Sequence, residues 1–307
     1  MDTNILWGQG SENKDQIPKI IWIYWDPIKD SPLVDICLQQ IQILHPDYKV
    51  NIVNKDTLSS FLQNVPQKND ALPFANYSDI IRLALLEKYG GIWIDASILI
   101  TNNLDWVFNF KNDYKTDVIG FFADFITTDL DFPILETWFL AASKNNHFIK
   151  DWYYEYLSCY TSDNPEVYYK DIPQEWIQGI DENLAKYLIC YISAIKTMRT
   201  NHKYRLLMFS ANDHAHYYNF KLKLKPHQLA EEFLLNENAK YNLPLVKFER
   251  RGREMMDDFI NKGLLSKKSL LYKLSPNPSK KYSSLQYKLY YIKYIFNNLL
   301  NKITTRK

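Results

Sequence analysis

Asp95 ends an apolar run, "YGGIWID" at residues 89–95, and is followed by Ala96 and Ser97. A carboxylate inside such a run is costly unless it is paired, hydrogen-bonded or bound to a cation. Asp95 is therefore a candidate site residue; the plainer alternative is a turn aspartate with Ser97 as its partner. Asp79 and Arg82 stand at i and i+3 of a helical stretch and share one face. They form either an ion pair worth roughly a few tenths of a kcal/mol at a surface or a pair aimed into one pocket. Asp213, His214 and His216 in "NDHAHYY" offer metal ligands or acid–base groups, although His-x-His carries no placed third ligand. No glycine-rich phosphate loop is present. "RRGRE" at 250–254 reads as a solvent-facing basic stretch before a helix.

These residues need elements to hold them, and strand and helix signals alternate along the chain. "KIIWIYW" (19–25) reads as a buried strand and "SPLVDICLQQIQILHPDY" as a helix. "YKVNIVN" is a second strand and "KDTLSSFLQNV" a short helix. "YSDIIRLALLEKYGG" is a helix in which Ser78 caps the start, Asp79 suits the positive end of the macrodipole, and Gly90-Gly91 stop the run. Those glycines also permit positive φ and close backbone approach. "IWID" and "SILIT" are strand segments around Asp95. "DVIGFFAD" and "ILETWFLAAS" follow as strands, "NHFIKDWYYEYLSCY" as a helix, and "DENLAKYLICYISAIKTM" as one long helix. The expectation is an α/β fold with a sheet flanked by helices over residues 1–275. No boundary shows before "SPNPSKKYSS", which hinges into a tail at 276–307.

Aromatic residues make up 15% of the chain, which suits core packing and also stacking against sugars or bases. The net charge of +2 is uneven. From Phe259 onward there are ten Lys, one Arg and no acidic residue, so residues 259–307 carry +11 and residues 1–258 carry +2 − 11 = −9. A basic tail on an acidic body points to an anionic partner. In "YSSLQYKLYYIKYIFNNLLNKITTRK" an apolar stripe alternates with lysines, the pattern of a helix lying on an anionic membrane surface; a helix packed on the domain or on a second subunit is the alternative. Nucleic acid fits less well, since no recognition motif accompanies the charge. The first 15 residues lack signal-peptide character, and no apolar run is long enough to span a membrane. Three scattered cysteines make neither a disulfide framework nor a zinc site. A cytoplasmic location is expected.

The stretch "FANYSDIIRLALLEKYGGIWIDASILIT" resembles the signature of the capsular polysaccharide synthesis family of glycosyltransferases, related to the DXD-containing sugar transferases. "IPKIIWIYW" is similar to that family's opening strand, "LETWFLAASKNNHFI" to its later strand and helix, and "SLLYKLS" to its C-terminal element. The resemblance spans residues 17 to about 275 and implies a GT-A-like fold, a nucleotide-sugar donor and a lipid-linked glycan acceptor. Under it, Trp25 stacks on uracil, while Asp79 and Arg82, beside Ser78, Gly90 and Gly91, reach the donor sugar and diphosphate. Asp95 stands for the first carboxylate of the DXD motif and holds Mn²⁺ or Mg²⁺, with Ser97 in place of the second. Lys273 stands where a diphosphate-binding lysine is expected, or belongs to the solvated basic run. The residue before it is Tyr272 rather than the histidine such enzymes often give the metal, which leaves His214 and His216 as alternatives. The resemblance implies a retaining transferase in bacterial surface polysaccharide synthesis, and the basic tail is expected to rest it on the inner membrane face. A non-catalytic sugar-nucleotide or glycan-binding partner in an assembly complex is the other reading.

Overall fold

A computed structural model describes residues 4–10, 15–26, 30–239 and 243–274, together with positions 288, 289, 292, 293 and 296. The chain forms two compact units. The first takes residues 1–26, 45–96 and 102–217; the second takes 27–44, 97–101 and 218–307.

The first unit is built on seven strands: β1 (Asn4–Trp7), β2 (Ile20–Tyr24), β3 (Lys49–Val53), β4 (Gly91–Ile94), β6 (Val118–Phe122), β7 (Leu135–Ala142) and β8 (Leu206–Ser210). Their order across the sheet is β1-β8-β6-β7-β4-β2-β3. β3, β2 and β4 run parallel, β7 runs antiparallel between β4 and β6, and β8 is again parallel to β6. Five strands therefore point the same way. Their carboxyl ends share one edge with the start of β7, and that edge is where an α/β sheet binds ligands. The central strands are apolar throughout because helices cover both faces: every residue of β4, β6, β7 and β8 is buried.

On the sheet lie α2 (Phe74–Tyr89), α3 (Asp105–Tyr114), α4 (His147–Tyr160) and α6 (Ile189–Thr200), with the short α5 (Glu182–Ala185) before α6. α2 buries nine residues, among them Leu83, Leu85 and Leu86. It begins earlier than its sequence suggests. Pro73 occupies the N-cap at φ −53° and ψ 148°, so Ser78 lies inside the helix and does not cap it; the fixed ring of Pro73 sets the entry angle. At the start of α4 the cap is Asn146, whose side chain accepts from Ile149 N. The single helix expected over 181–198 is broken between α5 and α6, and the helix expected over 55–65 reduces to a 3₁₀ turn at Leu58–Ser60.

The second unit contains α1 (Pro32–Leu44), a two-stranded sheet of β5 (Ile98–Ile100) and β9 (Leu245–Lys247), then α7 (Pro226–Leu234), α8 (Arg250–Asn261) and α9 (Leu270–Leu274). Asp257 of α8 caps α1: its Oδ1 accepts from Leu33 N at 2.9 Å and its Oδ2 from Ser31 Oγ at 2.8 Å. "RRGRE" opens α8 as its first turn. Of the tail, only five positions are described, all helical, and Leu289, Ile292 and Phe296 among them are exposed. Among the described residues no helix is long and apolar enough to cross a membrane.

Candidate active site

α2 delivers Asp79 and Arg82, and β4 delivers Asp95, to one place at the carboxyl edge. Arg82 is 3% exposed. Its Nη1 donates to Asp79 Oδ1, and its Nη2 donates to Asp95 Oδ1 at 2.8 Å. The guanidinium lies 4.8 Å from the centre of the Trp93 ring, whose Nε1 also donates to Asp95 Oδ1, at 3.0 Å. One arginine thus ties helix to strand, clamped by two carboxylates and stacked on an indole. Asp79 and Arg82 are therefore a buried pair rather than a surface one, and Asp95, which stands just before a turn at Ala96–Ser97, is held by Arg82 and Trp93.

The electrostatics follow from burial. Loss of solvent pushes the Asp79 carboxyl up to about 6; Arg82 pulls it back and Asp95 raises it further. Burial works against the Arg82 charge, but Asp79 and Asp95 overcome it and the guanidinium is held more firmly protonated than usual. Its Nε–H has no hydrogen-bond partner among the described residues, which leaves a buried, oriented donor.

Trp25 follows β2 at the same edge, half-buried, with its N–H donating to Val53 O at 2.9 Å. Ser78 is half-buried one residue before Asp79. Gly90 and Gly91 are not brought here: they open β4 at its amino end, about 13 Å from Asp95 at strand spacing. There they make a turn at φ 66° and φ 103°. A Cβ on Gly91 would stand 2.6 Å from Ile20 O, so close strand approach, rather than ligand approach, explains it. His214 turns its Nδ1 to Ser210 O at 2.8 Å and packs on Phe121 and Phe209. Burial keeps that imidazole neutral to lower pH than usual. His216 meets the Trp138 ring edge-on, and its Nε2 is 3.8 Å from Glu136 Oε1. In the second unit, Ser97 lies 3.3 Å from Lys247 Nζ, and Lys273 is an exposed residue of α9.

Sequence reasoning missed Glu136, Tyr191 and Trp93. Glu136 carried the same signal as Asp95, a carboxylate inside an apolar strand, in "ILETWFLAA".

A divalent cation fits this donor set only in part. Among the described residues no three His, Cys, Asp or Glu side chains gather as a cation cage. Ser97 meets an ammonium, which repels a cation, and the Nδ1 bond to a carbonyl leaves His214 only its Nε2 as a ligand nitrogen. Asp95 remains, and one carboxylate shared with substrate phosphates is a usual arrangement for Mg²⁺.

Seven strands in a mixed sheet flanked by helices make an α/β fold, with Asp79, Arg82 and Asp95 gathered at its carboxyl edge. The chain belongs to the capsular polysaccharide synthesis protein family, whose model matches residues 7–170, more than half of its length. With that membership it is an enzyme of the glycosyltransferase class. No curated protein matches the sequence. Among solved structures it is similar to the galactosyltransferase LgtC in complex with donor and acceptor sugar analogs, at TM-score 0.40 and 9% identity over 85% of this chain and 98% of that one. It is also similar to the PaToxG glycosyltransferase, at TM-score 0.34 and 14% identity over 59% and 79%. Mouse xyloside xylosyltransferase 1 gives TM-score 0.35 and 9% identity over 76% and 98%. These likenesses are remote, and the family rests on the sequence match.

Proposed function

We propose that this protein moves a sugar from a UDP-sugar to a lipid-linked glycan acceptor in capsular or surface polysaccharide synthesis, with retention at the anomeric carbon. The observation that supports this reading best is the buried Arg82 bridge between Asp79 and Asp95 at the carboxyl end of β4. When the bond from the sugar to the diphosphate breaks, negative charge grows on the leaving group. A guanidinium already fixed by two carboxylates and an indole meets that charge without rearranging. Trp25, one residue beyond β2, offers the face on which uracil stacks. A divalent cation, when bound, would add to the neutralisation of the leaving diphosphate, with Asp95 as the residue holding it. The basic tail is proposed to rest the enzyme on the cytoplasmic membrane face, where its acceptor lies.

The test is release of UDP from candidate UDP-sugars by wild type and Asp95→Ala, with Mn²⁺ and with a chelator. Wild type should turn over, the variant should lose roughly 10²-fold or more, and chelation should lower the wild-type rate until Mn²⁺ is restored. Wild-type turnover in Asp95→Ala would sink the site assignment, and turnover indifferent to chelation would remove the cation from it.

A further inference from the structure

The carboxyl edge of the first unit holds a second group of buried polar side chains that the Arg82 bridge does not use. Glu136, the second residue of β7, is 3% exposed. Its Oε2 accepts a hydrogen bond from the Tyr191 hydroxyl at 2.7 Å, and its Oε1 faces His216 Nε2 at 3.8 Å. The Trp138 ring centre is 5.5 Å from that of His216, and the Trp138 Nε1–H, buried, has no partner among the described residues. Thr137, buried beside Glu136 on β7, lies within the electrostatic reach of both Asp79 and Tyr191. Tyr187, four residues before Tyr191, is 48% exposed yet lies within the electrostatic reach of Asp79, Asp95 and Glu136. The group therefore has a buried polar floor and an aromatic rim that reaches solvent.

Position in the sheet says what this group would meet. β2, β4 and β7 are neighbours, each about 4.8 Å from the next. Trp25 stands at the end of β2, Asp95 at the end of β4 and Glu136 at the start of β7. If the base lies at the first and the diphosphate at the second, the hexose lies at the third. A carboxylate, an imidazole, a phenol and an unsatisfied indole N–H are donors and acceptors of the kind that match vicinal hydroxyls. Buried groups of this sort reject a ligand that leaves them unpaired.

We propose that Glu136, with Tyr191, His216 and the indole N–H of Trp138, forms the subsite that hydrogen-bonds the hydroxyls of the transferred sugar, and that Glu136 determines which hexose is accepted. The assignment rests on the nucleotide-sugar reading above. The experiment is calorimetric titration of wild type, Glu136→Gln and Tyr191→Phe with UDP alone and with UDP-glucose, UDP-galactose and UDP-N-acetylglucosamine. The variants should bind UDP within about twofold of wild type. Glu136→Gln should lose roughly ten- to a hundredfold in affinity for the preferred UDP-sugar and reorder the three, as loss of one hydrogen bond to a charged group would do. Tyr191→Phe should move the same way by less, and it tests the subsite even if Glu136→Gln does not fold. Unchanged discrimination among the sugars, or equal losses for UDP and UDP-sugars, overturns the subsite while leaving the nucleotide reading standing. A wild type that binds neither UDP nor any UDP-sugar overturns both.

Discussion

Arg82 carries a full charge at 3% exposure, and two carboxylates and an indole are arranged around it. Its replacement separates charge from geometry. Arg82→Lys keeps the charge but cannot span both carboxylates, and turnover should fall at least roughly tenfold with UDP binding reduced less. Arg82→Ala leaves the buried Asp79 and the half-buried Asp95 without their shared cation and should destabilise the fold by about 3 kcal/mol, read from the urea midpoint. Asp79 makes a pH prediction. Its carboxyl is pushed up to about 6 from an ordinary 3.8, so between those values the folded chain binds more protons at this position than the unfolded chain. Its contribution to stability therefore falls as pH rises through that window. Asp79→Asn should flatten that part of the stability profile, and it should remove an acid limb near pH 6 from kcat/KM if the ionised carboxylate is what fixes Arg82. An unchanged limb in the variant would assign it to another group.

At the scale of elements, α2 and β4 work as one device: the helix carries Asp79 and Arg82, two glycines turn the chain, and four strand residues deliver Asp95. The turn is as necessary as the charges. Gly91 at φ 103°, with Ile20 O where a Cβ would stand, predicts that Gly91→Ala costs about 1–3 kcal/mol of backbone strain. The loss should appear in chemical denaturation, with turnover per folded molecule largely kept, because the substitution lies at the far end of β4 from Asp95. Much of this was legible in the sequence. "SDIIR" followed by "YGGIWID" placed helix, turn and strand correctly because their signals are local. What was not legible depends on distant partners. Ser78 has the right chemistry for a cap, but Pro73 starts the helix a turn earlier. The long helix expected over 181–198 splits, and Tyr191 of the second piece is the residue that reaches Glu136. Glu136 itself was passed over because its strand reads as core until Tyr191 and His216 are seen around it. β1 gave no signal in its short segment, since pairing with β8 defines it.

For the whole molecule, the second unit was invisible in the sequence. It is assembled from residues 27–44, 97–101 and 218 onward, and no composition shift marks three separate segments. The charge asymmetry was plain, because it needs only counting: +11 after Asp258 against −9 before it. Among the described tail positions, Leu289, Ile292 and Phe296 are exposed at helical spacing, and Lys288 and Lys293 stand beside them in the sequence. A chain truncated after Ser275 should lose flotation with vesicles containing phosphatidylserine, and full-length binding should weaken as salt rises. Unchanged flotation of the truncated chain would contradict the membrane role. The central claim is that Arg82 and Asp95 serve transfer of a sugar from a nucleotide. Its most direct measurement is movement of radiolabel from a panel of UDP-sugars to lipid-linked glycan extracted from the host membrane, by wild type and by Asp95→Ala, each at saturating donor. The account predicts label in the lipid fraction with wild type and one donor, and loss of at least roughly 10²-fold with the variant. Equal transfer by both proteins, or none from any donor while UDP binds, would contradict it.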